Sequence, residues 1–173
     1  MAGKHYNMNE LTIATLLIAE QEIGVREDPK RPNRGKRVEE YLRFVGLDPD
    51  KGGAKGYPWC AAFVCWCVGQ ALLETGMRPS LRYSGRVFRL LELNPGLVLP
   101  GPIVGSIFIH LNPDQTGHTG FITGLREGDF VDTLEGNTDG AGSRTGGQVM
   151  RQVRPYSYVK NYLKIVPHVS LVA

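Results

Sequence analysis

Apolar residues recur at helical spacing in the first half of the chain and at spacing of two in the second half. Residues 9–23 predict a helix, in which Leu11, Ala14, Ile18 and Ala19 share one face, Asn9 caps the start and Gly24 ends it. A second, shorter helix fits 36–46, where Val38, Tyr41, Leu42 and Val45 form the stripe and Gly46 closes it. From Cys60 to about Glu74 there is no proline, and the segment is apolar nearly all round through Phe63, Val64, Trp66, Val68, Leu72 and Leu73. Such a helix is central and covered on most sides. Pro58 and Trp59 stop the turn-rich loop before it, so Cys60 falls at the helix start. A short helix is predicted over 84–92, followed by an irregular connection through Pro95, Pro100 and Pro102.

The pattern then changes to short alternating runs with turn residues between them: 105–111, 118–125, 130–135, 148–153 and 161–166. A glycine-rich loop, 136–147, parts the third from the fourth. Helices first and hairpin-linked strands afterwards predict an α+β domain, with N-terminal helices packed on a C-terminal antiparallel sheet of about five to six strands. No repeat or linker divides the chain, and one domain over 1–173 is expected.

Composition narrows this picture mainly by exclusion. With 42% hydrophobic and 21% charged residues, the chain reads as an ordinary globular protein. A net charge of +3 is too small to imply nucleic acid, though it tolerates an anionic envelope surface. Three cysteines without a CxxC pair argue against a disulfide framework and against a thiolate zinc site. No cofactor or metal is expected. Asp48-Pro49-Asp50-Lys51-Gly52-Gly53 begins like a calcium loop but lacks the third carboxylate and the closing glutamate, so it reads as a turn. The run Thr12–Ala19 is short, follows Glu10 and lacks a basic start. It reads as an amphipathic helix rather than a cleaved signal or a membrane span. The basic run 30–37 reads as a solvated loop.

Candidate chemistry centres on Cys60. Free N–H groups and the helix dipole at a helix start favour an anion, and the thiolate is the nucleophilic form of cysteine. His118 opens the second predicted strand, while Glu135 and Asn137 end the third, so antiparallel pairing can bring them to one edge of the sheet. By alternation His118, Gly120 and Ile122 share a face, as do Val131, Thr133 and Glu135, and Asp132 points the other way. Gly120 would leave room for the Cys60 helix to press close on that face. Cys60 would then attack a carbonyl, His118 would move the proton, and Glu135 or Asn137 would hold the imidazole in one tautomer. The spacing leaves open which of the two does so. His110 competes as base and is a candidate to line the substrate, as are Tyr57 and Trp59 beside the nucleophile. Cys65 and Cys67 read as core packing, and His5 and His168 as exposed terminal residues.

The motifs Tyr57-Pro58-Trp59-Cys60-Ala61-Ala62-Phe63-Val64, Gly117-His118-Thr119-Gly120 and Glu135-Gly136-Asn137-Thr138 resemble those of the CHAP family, the cysteine- and histidine-dependent amidohydrolases/peptidases. The resemblance implies a papain-like, NlpC-type fold and a catalytic set of Cys60, His118, Glu135 and Asn137. It also implies peptidoglycan as substrate, cut at the muramyl–L-alanine amide or within the peptide. A protein of this kind would be a monomer made in the cytoplasm that acts at the wall after export or lysis, as a phage lysin or an antibacterial effector. An effector would have a cognate immunity protein. Two other readings stand beside this one: a non-catalytic wall-binding module on the same fold, and a thiol hydrolase of a non-wall amide.

Overall fold

A computed structural model describes residues 8–141 and 146–168. Four helices come first: α1 (Glu10–Gln21), α2 (Lys36–Phe44), α3 (Cys60–Thr75) and α4 (Val87–Glu92). Six strands complete the chain: β1 (Val98–Leu99), β2 (Ile107–Leu111), β3 (Gly117–Arg126), β4 (Phe130–Thr138), β5 (Gln148–Pro155) and β6 (Asn161–Leu163). They form one antiparallel sheet in the order β1-β6-β2-β3-β4-β5. The chain is thus α+β, as its patterning predicts. No helix among the described residues is long and apolar enough to cross a membrane.

Asn9 caps α1 as expected, its side chain accepting from the Thr12 N–H at 2.9 Å. α3 is central: every residue from Cys60 to Gly69 is buried. Tyr41 of α2 lies over it, with ring centroids 5.7, 5.6 and 5.2 Å from Trp59, Phe63 and Trp66. On its other side Phe63 meets Phe121 of β3 edge-on at 6.0 Å. Gly136 of β4 must be glycine for this packing, since a Cβ there would sit 2.7 Å from Trp59 Cζ3 and 2.8 Å from Phe63 Cγ.

The helices therefore cover the sheet face that carries Ile107, Ile109, Phe121 and Leu134. Paired residues share a face, and Gly120 pairs with both Phe108 and Glu135. So His118, Gly120, Ile122, Thr133 and Glu135 lie on the opposite face. The expectation that α3 packs beside Gly120 is corrected here: the space is filled by Glu135 and Phe108, each 2.9 Å from where a Cβ would be. That second face has its own apolar cluster of Phe108, Ile122, Val131, Val159 and Tyr162. It is closed by the β5–β6 connection. β5 is one edge of the sheet and β6 lies beyond β2, so residues 156–160 pass across this face.

Boundaries differ from the sequence pattern where short-range signals are weak. β1 falls in a stretch read as irregular, and it exists because Val98 and Leu99 pair with Leu163 and Tyr162. α4 starts at Val87 rather than 84, and β6 ends at Leu163 rather than 166. β4 runs on to Thr138, past Glu135, into what the glycines suggested was loop. Part of that loop, 142–145, lies outside the described residues, as does His5.

Candidate active site

Cys60 is the first residue of α3, and no side chain caps the helix start. The first-turn N–H groups are therefore not claimed by a cap, and they point where an anion on Cys60 or on a bound carbonyl would sit. Trp59, just before, is anchored rather than exposed. Its indole N–H donates to Glu27 Oε1 at 2.7 Å, and its side chain is fully buried.

His118 of β3 and Glu135 of β4 come together: imidazole Nε2 lies 2.9 Å from Glu135 Oε2, both residues having no exposed surface. Glu135 is held from behind as well. Arg154 of β5 donates from Nε to Oε1 at 2.8 Å and from Nη2 to Oε2 at 2.6 Å. The Thr133 hydroxyl donates to Oε1 at 2.6 Å. Burial pushes the Glu135 carboxyl upward, but the hydrogen bonds and charges of Arg154 and His118 outweigh it and hold the group at about 2. The carboxylate is thus an anion that only accepts, so Nε2 must carry a proton to face it. In the neutral ring Nδ1 is then the free acceptor, the tautomer a general base needs.

Nδ1 is buried and makes no hydrogen bond. Cys60 is nevertheless the group that acts most strongly to charge the ring. Burial, the largest influence, lowers the imidazole; the charge and hydrogen bonding of Cys60, then those of Glu135, outweigh it and raise His118 to about 9.

These shifts set a pH dependence. His118 is raised above its ordinary 6.5, so its stabilising contribution is complete below 6.5 and is lost as pH rises through about 9. Glu135 is lowered from 4.5, so its contribution is complete above 4.5 and is lost as pH falls through about 2. The urea midpoint is expected to fall as pH rises from 6.5 to 9, and His118→Gln, which cannot titrate, should lack that fall. An equal fall in both proteins would mean that some other group titrates.

The remaining candidates are placed elsewhere. Asn137 does not reach His118. It sits in a bulge at φ 59°, which breaks the β4–β5 register after Glu135 and turns its side chain toward α3. There, with its amide turned to suit its neighbours, the oxygen accepts from the Trp59 N–H and the NH₂ donates to Glu27 Oε1, both at 3.3 Å. Trp59, a candidate to touch substrate, is in the core, and Tyr57 is half-buried beside it. His110 shares the far face with His118 but is stacked flat on Tyr158, centroids 4.1 Å apart, with Nδ1 2.9 Å from the Tyr158 carbonyl. Cys65 and Cys67 are fully buried, and burial pushes the Cys65 thiol to about 12 and Cys67 well up too. Asp132 pairs with Arg126 at 2.7 Å on the other face from Glu135. Asp48 accepts from the Asp50 N–H within its own turn, and Asp50 pairs with Arg34 at 2.9 Å. No group of three or more His, Cys, Asp or Glu among the described residues is placed to hold a metal.

Access to the sulfur is narrow, with Cys60 3% exposed. A cleft of about 350 Å³ between Arg26–Pro32 and Gly146–Gln148 touches neither Cys60 nor His118, and reaches the site only through Glu27 and its bond to Trp59. Thr133 completes the site from the face that alternation shares with Glu135, whereas Arg154 carries no sequence signal short of knowing the β4–β5 register.

No protein-family model matches the chain, and no curated protein matches it. Six chains of known structure align with it. One is the crystal structure of Ly7917, 17% identical at a TM-score of 0.36 over 90% of this chain and 62% of that one. The chain therefore spans less than two thirds of Ly7917, and so slight a likeness carries no argument about activity.

Proposed function

We propose that the chain is a thiol hydrolase that cleaves amide bonds, with Cys60 as nucleophile, His118 as base and Glu135 as the orienting carboxylate. The observation that carries this is the buried pair itself: an anionic Glu135 fixing Nε2–H of His118, which leaves Nδ1 as the ring's acceptor. In this scheme Cys60 attacks as thiolate, the imidazolium gives its proton to the leaving amine, and the α3 N–H groups receive the oxyanion. Water then resolves the acyl-enzyme with His118 as base.

The substrate class rests on different support. The three motifs around Cys60, His118 and Glu135 resemble the CHAP family, and with it a papain-like fold and peptidoglycan as the amide donor. Asn137, catalytic in that resemblance, acts here by holding the start of α3. One observation favours the non-catalytic module instead, the slight exposure of Cys60, because a carbonyl can reach the sulfur only if surrounding side chains yield.

Two measurements separate the readings. Iodoacetamide should alkylate Cys60 far faster than Cys65 or Cys67 near neutral pH; slow, equal labelling favours the module. Incubation with purified peptidoglycan should release fragments resolvable by mass spectrometry. Fast labelling without fragments would leave a thiol hydrolase of some other amide.

A further inference from the structure

We propose that Arg154 is the positioning residue of this site: by gripping both oxygens of Glu135 from β5, it decides which nitrogen of His118 keeps its proton. The consequence for rate rests on the thiol-hydrolase reading above; the consequence for the imidazole does not.

The grip is two-pointed, Nε to Oε1 and Nη2 to Oε2, in the fork geometry that only arginine offers. The guanidinium is itself fixed. It lies 4.6 Å over the Tyr158 ring, which in turn stacks on His110 at an interplanar angle of 6°. Arg154 is 8% exposed and pairs in register with Val131, on a face shared with Ile122 and Tyr162. A cation in that apolar setting is costly unless its partner repays the desolvation, and Glu135 is the partner that meets it there. Asp139 adds a weaker influence through its charge.

The chemistry follows from counting donors on the carboxylate. With Arg154 present, Oε1 receives Arg154 and Thr133, and Oε2 receives Arg154 and His118. Every lone-pair direction is used, so the carboxylate can neither turn nor take a proton easily. Without Arg154 a buried anion would keep only Thr133 and the imidazole. The sp³–sp² torsion of Glu135 is soft, and a proton shared with His118 would relieve its charge. Either change frees Nε2 from donating, and Nδ1 is no longer held as the acceptor that faces Cys60.

The test uses the full chain with ¹⁵N-labelled histidine, at alkaline pH in a Cys60→Ala background, where the ring shifts report the tautomer. Adding Arg154→Met should convert a single Nε2–H tautomer into a mixture. In the otherwise native chain, Arg154→Met should slow iodoacetamide labelling of Cys60 at neutral pH by roughly tenfold to a hundredfold, by analogy with the groups that support the carboxylate or carbonyl behind a metal-bound histidine. It should also move the acid limb of that rate to higher pH. Arg154→Lys keeps the charge but not the fork, and should recover part of both effects. A folded Arg154→Met protein with the native tautomer and labelling profile overturns the proposal. If that variant does not fold, Arg154→Lys indistinguishable from the native chain in both readouts overturns it equally. Native Cys60 that labels no faster than Cys65 would defeat the hydrolase reading alone, because the tautomer still reports on Arg154.

Discussion

Cys60→Ala is expected to lower amide hydrolysis by roughly a thousandfold or more while the protein still folds. No other thiol can substitute. Cys65 and Cys67 are enclosed in the core, and burial holds both as neutral thiols. Folding should survive because the change removes one sulfur from the start of a helix, at a cost of about 1 kcal/mol. That is a few degrees in melting temperature at most. A second readout comes with it. Cys60 is the strongest of the influences that raise the His118 ring, so without the sulfur the ring's pKa should fall from about 9, as followed by NMR titration. Undiminished hydrolysis in the variant would remove Cys60 as nucleophile. An imidazole that still titrates near 9 would show that Glu135 alone had raised it.

Much of this site was legible from the chain because its logic is local. A proline and a tryptophan ahead of an unbroken apolar run put Cys60 at a helix start, and the structure places it there. Alternation put His118 and Glu135 on one face, and pairing of β3 with β4 brings them to 2.9 Å. What failed was non-local. Alternation tells which residues share a face but not which face the helices take, and here they take the other one. Asn137 was misplaced for a related reason. A straight strand would carry it back to the face of Glu135, but its positive φ makes a bulge that turns it to Trp59 and Glu27. Arg154 was invisible, because an arginine in a strand becomes a site residue only through the register that sets it near Glu135.

Glu135→Ala is expected to be the most damaging single change, costing stability as well as activity. Asn137 cannot take over the orienting role, since its amide is committed at the start of α3. His118 would lose its Nε2 partner, and Arg154 would remain buried without the carboxylate it grips. Breaking a buried pair by deleting one partner costs about 3–5 kcal/mol. Urea denaturation of Glu135→Ala against the native chain should read a loss of that size. Glu135→Gln separates the two effects by shape. The amide fills the same space, but both carboxylate oxygens face Arg154 donors, so its NH₂ must oppose an N–H whichever way it turns. That leaves one donor unsatisfied, for about 1–3 kcal/mol. Hydrolysis should still fall by orders of magnitude, because an orienting anion replaced by an amide leaves the imidazole free to take the wrong tautomer. A Glu135→Gln protein that hydrolyses its substrate at the native rate would mean that His118 needs no anion behind it, and the relay from Arg154 through Glu135 to the imidazole would then be packing alone.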